Sequence, residues 1–194
     1  MASGRYPRIT ATEGPQPSNV PFQLGVEKLR DFSPEAPARI RGSFENCFSE
    51  EQTVSFGAIQ PYSSIWSEDE GWLVLIPSER EIQKHVFGTD EQIIPDHPVE
   101  GCWQTNLVHF IRPDVLRWQS LDAGECIQTE YSVLHYPERE ILEATMDKWV
   151  STRPKDKGCL PAGEHRFTES FVPKYRTDTT WEEFEWSYTL TIEE

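Results

Sequence analysis

The residues able to do chemistry are thinly spread along this chain. None of its five histidines belongs to a His-Glu-x-x-His metal motif: His85, His97, His109, His135 and His165. A Gly-x-Ser-x-Gly nucleophile turn is also missing, and Ser43, Ser55 and Ser132 are predicted to face solvent from strands. We therefore predict no catalytic residue and no enzyme activity. A small hydrolase with an unrecognised His/Cys or His/Glu site is the alternative.

Metal and cofactor sites are not expected either. His165 shares strand parity with Phe167 and is predicted to point inward as a hydrogen-bonded histidine of the core or its rim. Calcium needs six to eight converging oxygens. The acidic residues near the end of the chain alternate with apolar ones, which is typical of a solvated strand face: Asp178, Glu182, Glu183 and Glu185. We predict no metal and no cofactor.

The four cysteines are Cys47, Cys102, Cys126 and Cys159, and no spacing among them matches a zinc site. Four cysteines allow three pairings, which sequence alone does not separate. We favour a disulfide between Cys102 and Cys159 because both lie beside turn-like, glycine-containing segments.

Aromatic residues offer the best candidates for a binding surface. The chain has seven tryptophans, and tryptophan is enriched in protein interfaces. Closure of the core at its ends is the competing explanation. We predict a partner-facing patch formed by Tyr62, Trp66, Trp103 and Trp118, with the loop from Gln60 to Trp66 as the first choice.

The net charge of the chain excludes some classes of binding partner. The net charge is −15, from 33 acidic and 18 basic residues, and such a surface repels nucleic acid. We expect a protein partner or surface ligand and a salt-adapted source. No stretch reaches the roughly 20 apolar residues of a membrane span. The chain as written has no signal peptide. We expect a cytoplasmic location if it is native as written, and the cell surface or exterior if a leader was removed.

Period-two alternation is the clearest structural signal. Every second residue from Phe184 to Ile192 is apolar, which indicates a strand with one buried face. Similar alternating strands are predicted around Val20–Val26, Ile40–Phe44, Val54–Phe56, Ile127–Val133 and His165–Phe171. The run Trp72–Ile76 is apolar on both sides and is predicted to be an interior strand, and Leu107–Ile111 is a further strand candidate. We predict an all-β, immunoglobulin-like antiparallel sandwich of about 7–9 strands.

Two matched turns and two short helices complete the outline. Leu121–Glu125 and Leu160–Glu164 share the pattern Leu-x-Ala-Gly-Glu, and we predict a positive φ at each glycine. Short helices are predicted after the Ser78–Glu81 capping-box pattern and over Glu138–Trp149. Composition predicts a flexible N-terminal arm over residues 1–19 and one sandwich domain over 20–194.

Taken in order, several segments resemble a known family: Pro37–Asn46, Thr53–Gly57, Leu73–Pro77, Leu121–Glu125 and Cys159–Phe167. The chain resembles uncharacterised immunoglobulin-like proteins of haloarchaea. It is also similar in outline to the intracellular proteinase inhibitor domains of bacilli. The first resemblance implies a sandwich fold and a salt-adapted source, and it supplies no catalytic residue. Its first two segments are expected to form a hairpin that buries Ile40, Phe44, Val54 and Phe56.

These observations favour a non-catalytic binding or interaction module. A proteinase-inhibitor-like domain is the second hypothesis, motivated by the turn pattern. The small hydrolase is the third.

Overall fold

The computed structural model describes residues 6–18, 20–69, 73–107, 115–136, 159–174 and 183–193. Over these residues the chain forms ten β-strands and one α-helix. In chain order they are β1 (Arg8–Glu13), β2 (Phe22–Arg30), β3 (Arg39–Asn46), β4 (Gln52–Phe56), β5 (Leu73–Pro77), α1 (Arg80–Phe87), β6 (Arg117–Leu121), β7 (Cys126–His135), β8 (Gly163–Phe171), β9 (Pro173–Lys174) and β10 (Phe184–Glu193).

The strands form three antiparallel sheets, ordered β1-β10-β8, β2-β3-β7-β5 and β6-β4-β9. Only Val172 separates β8 from β9 along the chain, so the first and third sheets continue into each other. Phe44 of the second sheet packs on both, with ring centroids 5.1 Å from Phe56 and 5.0 Å from Phe171. The first and third sheets therefore make one layer and the second sheet the other, which confirms the all-β sandwich.

Alternation explains which side chains fill the space between the layers. In β10, Trp186, Tyr188, Leu190 and Ile192 are buried, and the residues between them are more exposed. The apolar strand β5 is buried at all five positions. A strand covered on both faces favours a continuous apolar run over an alternating one.

The predicted hairpin is not formed. Ile40, Phe44, Val54 and Phe56 are buried as expected. However, β3 pairs with β2 and β7, whereas β4 pairs with β6 and β9. The two strands therefore face each other across the core. Burial of the same side chains does not distinguish these two arrangements.

The N-terminal segment is also more ordered than its composition predicts. Strand β1 lies inside the expected flexible arm and pairs with β10 from Arg8 opposite Glu193 to Glu13 opposite Tyr188. Ile9 is fully buried. The turn-forming residues begin only after Glu13, so the flexible-arm prediction is wrong for residues 8–13.

Helix α1 confirms the first predicted helix, but its start differs from the expected capping box. The N-cap is Glu79 and makes no side-chain cap. Ser78 instead places its hydroxyl 3.3 Å from that of Ser132. The predicted helix over Glu138–Trp149 lies outside the described residues, as does most of the predicted strand Leu107–Ile111.

The two matched turns behave as predicted, with φ of 76° at Gly124 and 130° at Gly163. Gly124 donates its N–H to the Asn46 carbonyl at 2.8 Å, and Asn46 donates to the Glu125 carbonyl at 3.0 Å. Two residues of one strand thus oppose one residue of the other. This is a β-bulge that places glycine in the left-handed region.

The predicted disulfide is present. Cys102 and Cys159 are bonded, with their Cα atoms 5.7 Å apart. Cys47 and Cys126 are free and exposed. The disulfide ties the turn at Val99–Cys102 to the segment that leads into β8.

Candidate functional site

Tyr62, a predicted binding residue, belongs to the core. It is 1 % exposed. Its hydroxyl lies 2.8 Å from the Gly25 carbonyl and 2.7 Å from the Ser43 carbonyl, and it accepts the Gly25 N–H at 3.1 Å. Burial raises the pKa of Tyr62 far above its usual value, so the hydroxyl remains a donor. Its role is to join β2 and β3 to the loop beneath them.

Two other residues of the predicted aromatic patch, Trp103 and Trp66, also pack within the fold. Trp103 is 1 % exposed and donates its indole N–H to the Ser33 carbonyl at 2.7 Å. Trp66 is half-buried against Tyr136, with ring centroids 4.5 Å apart. Tyr62 and Trp103 are therefore core residues, and the prediction that they form a partner-facing patch is corrected.

Glu169 explains why the loop around Tyr62 turns inward. Its carboxylate is 4 % exposed and accepts the backbone N–H groups of Ser63 at 2.9 Å and Ser64 at 2.8 Å. The residue shares strand parity with Phe167 and Phe171, both of which are buried. That parity was the available signal, and sequence reasoning missed it.

The predicted tryptophan that does reach solvent is Trp118, which is 47 % exposed. Leu116 is 59 % exposed and Val115 is 40 % exposed. These three account for three of the five large exposed hydrophobic residues among the described part of the chain. We call Val115, Leu116, Trp118 and the open edge of β6 the β6 surface.

The position of β6 in its sheet directs the Trp118 side chain outward. Leu121 is fully buried, so the residues that share its parity turn toward the core. Trp118 has the opposite parity and projects from the outer face, and the exposed Val115 and Leu116 directly precede the strand. Such exposed clusters mark interaction surfaces more often than single exposed apolar residues do.

Apart from the two-residue strand β9, the other strand edges in the described ranges are contacted by the chain itself. The side-chain amide of Gln16 bonds both backbone groups of Leu24, at 3.0 and 2.7 Å, and Glu13 accepts the Val26 N–H at 2.9 Å. These bonds cover the edge of β2.

The remaining long edges are covered in a similar way. Asp31 accepts the Ile9 N–H of β1 at 2.9 Å. Residues 64–68 lie along β5 and β8, where they bond the backbones of Leu75 and Arg166, each at 2.8 Å. Within the described ranges, β6 pairs only with β4 and leaves its other edge open. Open edges are sites where further strands pair.

The two ends of β6 differ in charge. At the Leu121 end, the Asn46 side-chain amide reaches the carbonyls of Glu50, Leu121 and Asp122 at 3.0–3.1 Å. The exposed acidic residues Glu50, Glu51, Asp122 and Glu125 therefore meet there. At the other end, Arg117 contacts His85 of α1.

Residues considered for catalysis are buried in the fold, and one of them, Ser55, is the pairing partner of Trp118. His165 is 2 % exposed, as predicted, and its ring nitrogens lie 2.6 Å from an Asp69 oxygen and 2.8 Å from the Pro161 carbonyl. Both nitrogens are thus used internally. Ser55 and Ser132 are buried at 1 % and 0 % exposure, so the prediction that they face solvent is wrong.

Over the described ranges, no group of three or more histidine, cysteine or acidic residues is placed to hold a metal ion. Of the predicted acidic group, Glu183 and Glu185 are exposed. Asp178 and Glu182 lie outside the described residues. In the same ranges, no helix is long and apolar enough to cross a membrane.

Comparison with family models, curated proteins and solved structures finds no match. The resemblances to haloarchaeal immunoglobulin-like proteins and to proteinase inhibitor domains therefore stay predictions.

Proposed function

We propose that this protein is a non-catalytic binding module that recognises another protein through the β6 surface. The observation that carries the proposal is that Leu116 and Trp118 lie beside a strand edge that no other strand of the described residues pairs with. Apolar anchors supply binding energy, and tryptophan is among the residues that most often dominate it.

Two further features support binding over hydrolysis. The His165–Asp69 pair is engaged internally, with the imidazole shielded from solvent. The exposed apolar residues concentrate on β6, at a distance along the chain from that pair. A sandwich can present such a surface without any conformational change.

The setting we propose is an oxidising one, because disulfides persist there. Cys102 and Cys159 form such a bond. The charge of −15 is consistent with a surface that stays soluble in concentrated salt. Both points extend the proposal to an exported protein of a salt-adapted source.

Selection from a random peptide display library tests the function. The immobilised protein should enrich peptides whose binding is lost in Trp118→Ser and Leu116→Ser. Val99→Ser is the matched control, because Val99 is 46 % exposed but lies outside β6. Equal retention of the peptides by all three variants, or no enrichment above a blank surface, would refute the proposal.

A further inference from the structure

The backbone of β6 has a defined direction at its open edge. Ser55 of β4 donates its N–H to the Val172 carbonyl at 2.9 Å, so its backbone groups point toward β9. Val54 therefore points toward β6, where its partner is Gln119. Alternation then turns the N–H and C=O groups of Trp118 and Ser120 toward the open edge.

The backbone groups of Trp118 and Ser120 form a short row of hydrogen-bond donors and acceptors along the edge of β6. Among the described residues, none donates a hydrogen bond to these groups or accepts one from them. The side chains of Trp118 and Leu116 project beside the row. An extended peptide would satisfy the backbone groups and cover the apolar side chains at the same time.

Charge indicates the chemistry of that peptide. The Leu121 end of β6 is lined by exposed acidic residues, and the whole chain carries −15. A second copy paired antiparallel would set its Arg117 beside the acidic end but would also bring its own net charge of −15, whereas a basic segment would bring the attraction without that repulsion. An antiparallel arrangement matches the pairing of β4 with both of its neighbours.

We infer that the partner contributes an extended, basic segment that adds to β6 as an antiparallel strand. Its amino-terminal end carries lysine or arginine and lies beside Leu121. Apolar side chains that follow cover Trp118 and Leu116. The inference rests on the proposed function and names the partner of the same surface.

A defined peptide tests the mode of binding. The probe is a blocked peptide that alternates valine with threonine and has two lysines at its amino end. We expect calorimetry with the purified, disulfide-bonded protein to detect binding that weakens as salt rises. N-methylation of one peptide amide that faces β6 should weaken binding up to about tenfold, because it removes one hydrogen bond.

Failure of the lysine peptide to bind at millimolar concentration overturns the inference. Equal binding of the N-methylated peptide overturns strand addition, and equal binding of a peptide with glutamate for lysine overturns the basic partner. The display selection remains a separate test of the β6 surface, since it depends on Trp118 and Leu116 but not on strand pairing.

Binding measurements with protein variants provide a second test of the inference. Ser120→Pro removes an N–H that points away from β4, so we expect the sheet to remain and affinity to fall about tenfold, whereas Ser120→Ala retains binding. Glu51→Gln and Asp122→Asn should each weaken binding and reduce its salt dependence. Glu35→Gln, at the opposite end of β3 from the acidic cluster, should have no effect. Unchanged affinity in both acidic-end variants, with normal folding, would contradict the proposed charge match.

Discussion

Replacement of Asn46 by alanine should destabilise the protein more than its small size suggests. Asn46 is fully buried at the end of β3. Its amide nitrogen lies within 3.0–3.1 Å of three carbonyl oxygens, and its side-chain oxygen accepts the Phe48 N–H at 3.0 Å. One side chain thus holds the loop before β4 against the turn after β6.

The magnitude follows from the bonds that alanine cannot make. The amide has two N–H groups for three carbonyls, so about three hydrogen bonds are lost in total. At about 1 kcal/mol each, the free energy of unfolding should fall by about 3 kcal/mol. For a domain of this size, that lowers Tm by roughly 6–12 °C.

Thermal and urea unfolding with the disulfide intact measure the effect. Asn46→Asp is the informative comparison, because it keeps the acceptor but turns a negative charge toward carbonyl oxygens and should be at least as destabilising. Ser49→Ala, in the exposed loop, is the control and should change stability by less than about 0.5 kcal/mol. A fall of that small size in Asn46→Ala would refute the reasoning.

Three other predictions concern stability. Reduction of Cys102–Cys159, which spans 57 residues, should cost up to about 4 kcal/mol in urea unfolding; identical curves with and without reductant would contradict this. Gly124→Ala should cost roughly 1–2 kcal/mol, because φ is 76° there, and Gly124→Asn should cost less in the same assay. Burial alone would raise the pKa of Asp31, but the Ile9 N–H and the Lys28 ammonium outweigh it and hold the pKa below its usual value. The resulting stability is present above the unfolded value of about 4 and is lost as pH falls through the folded value. Asp31→Asn should therefore show a smaller loss of Tm than the wild type between neutral and acid pH; equal losses would exclude Asp31 as a contributor.

Much of the core could be read from alternation because a strand has only two faces. Parity along β10 identifies the buried face from Trp186 to Ile192, and the same rule places Ile40 and Phe44 in the core. The positive φ at Gly124 and Gly163 also follows from local chemistry. These features depend on neighbours in sequence.

Which strands pair with each other depends on residues that are distant in sequence. The sequence therefore predicted strand pairing less well than burial. Nothing local in β3 and β4 distinguishes a hairpin from strands in opposite layers, since Phe44 and Phe56 are buried in both cases. Strand β1 has one fully buried residue, Ile9, and its place is set by pairing with β10. Tyr62 likewise turns inward because Glu169, more than 100 residues away, binds the next two backbone N–H groups.

The sequence pattern did not predict strand β6, for a different reason. That reason supports the proposed role of β6 in binding. Its pattern is inverted at Trp118, which lies on the outer face, while Arg117 and Gln119 share parity with buried Leu121. A strand selected only for folding would place its largest apolar side chains inward. The inversion leaves apolar area exposed beside an open edge, an arrangement that favours association. The outward-facing apolar side chain is why alternation did not predict this strand. It is also why we propose this surface as the one that binds a partner.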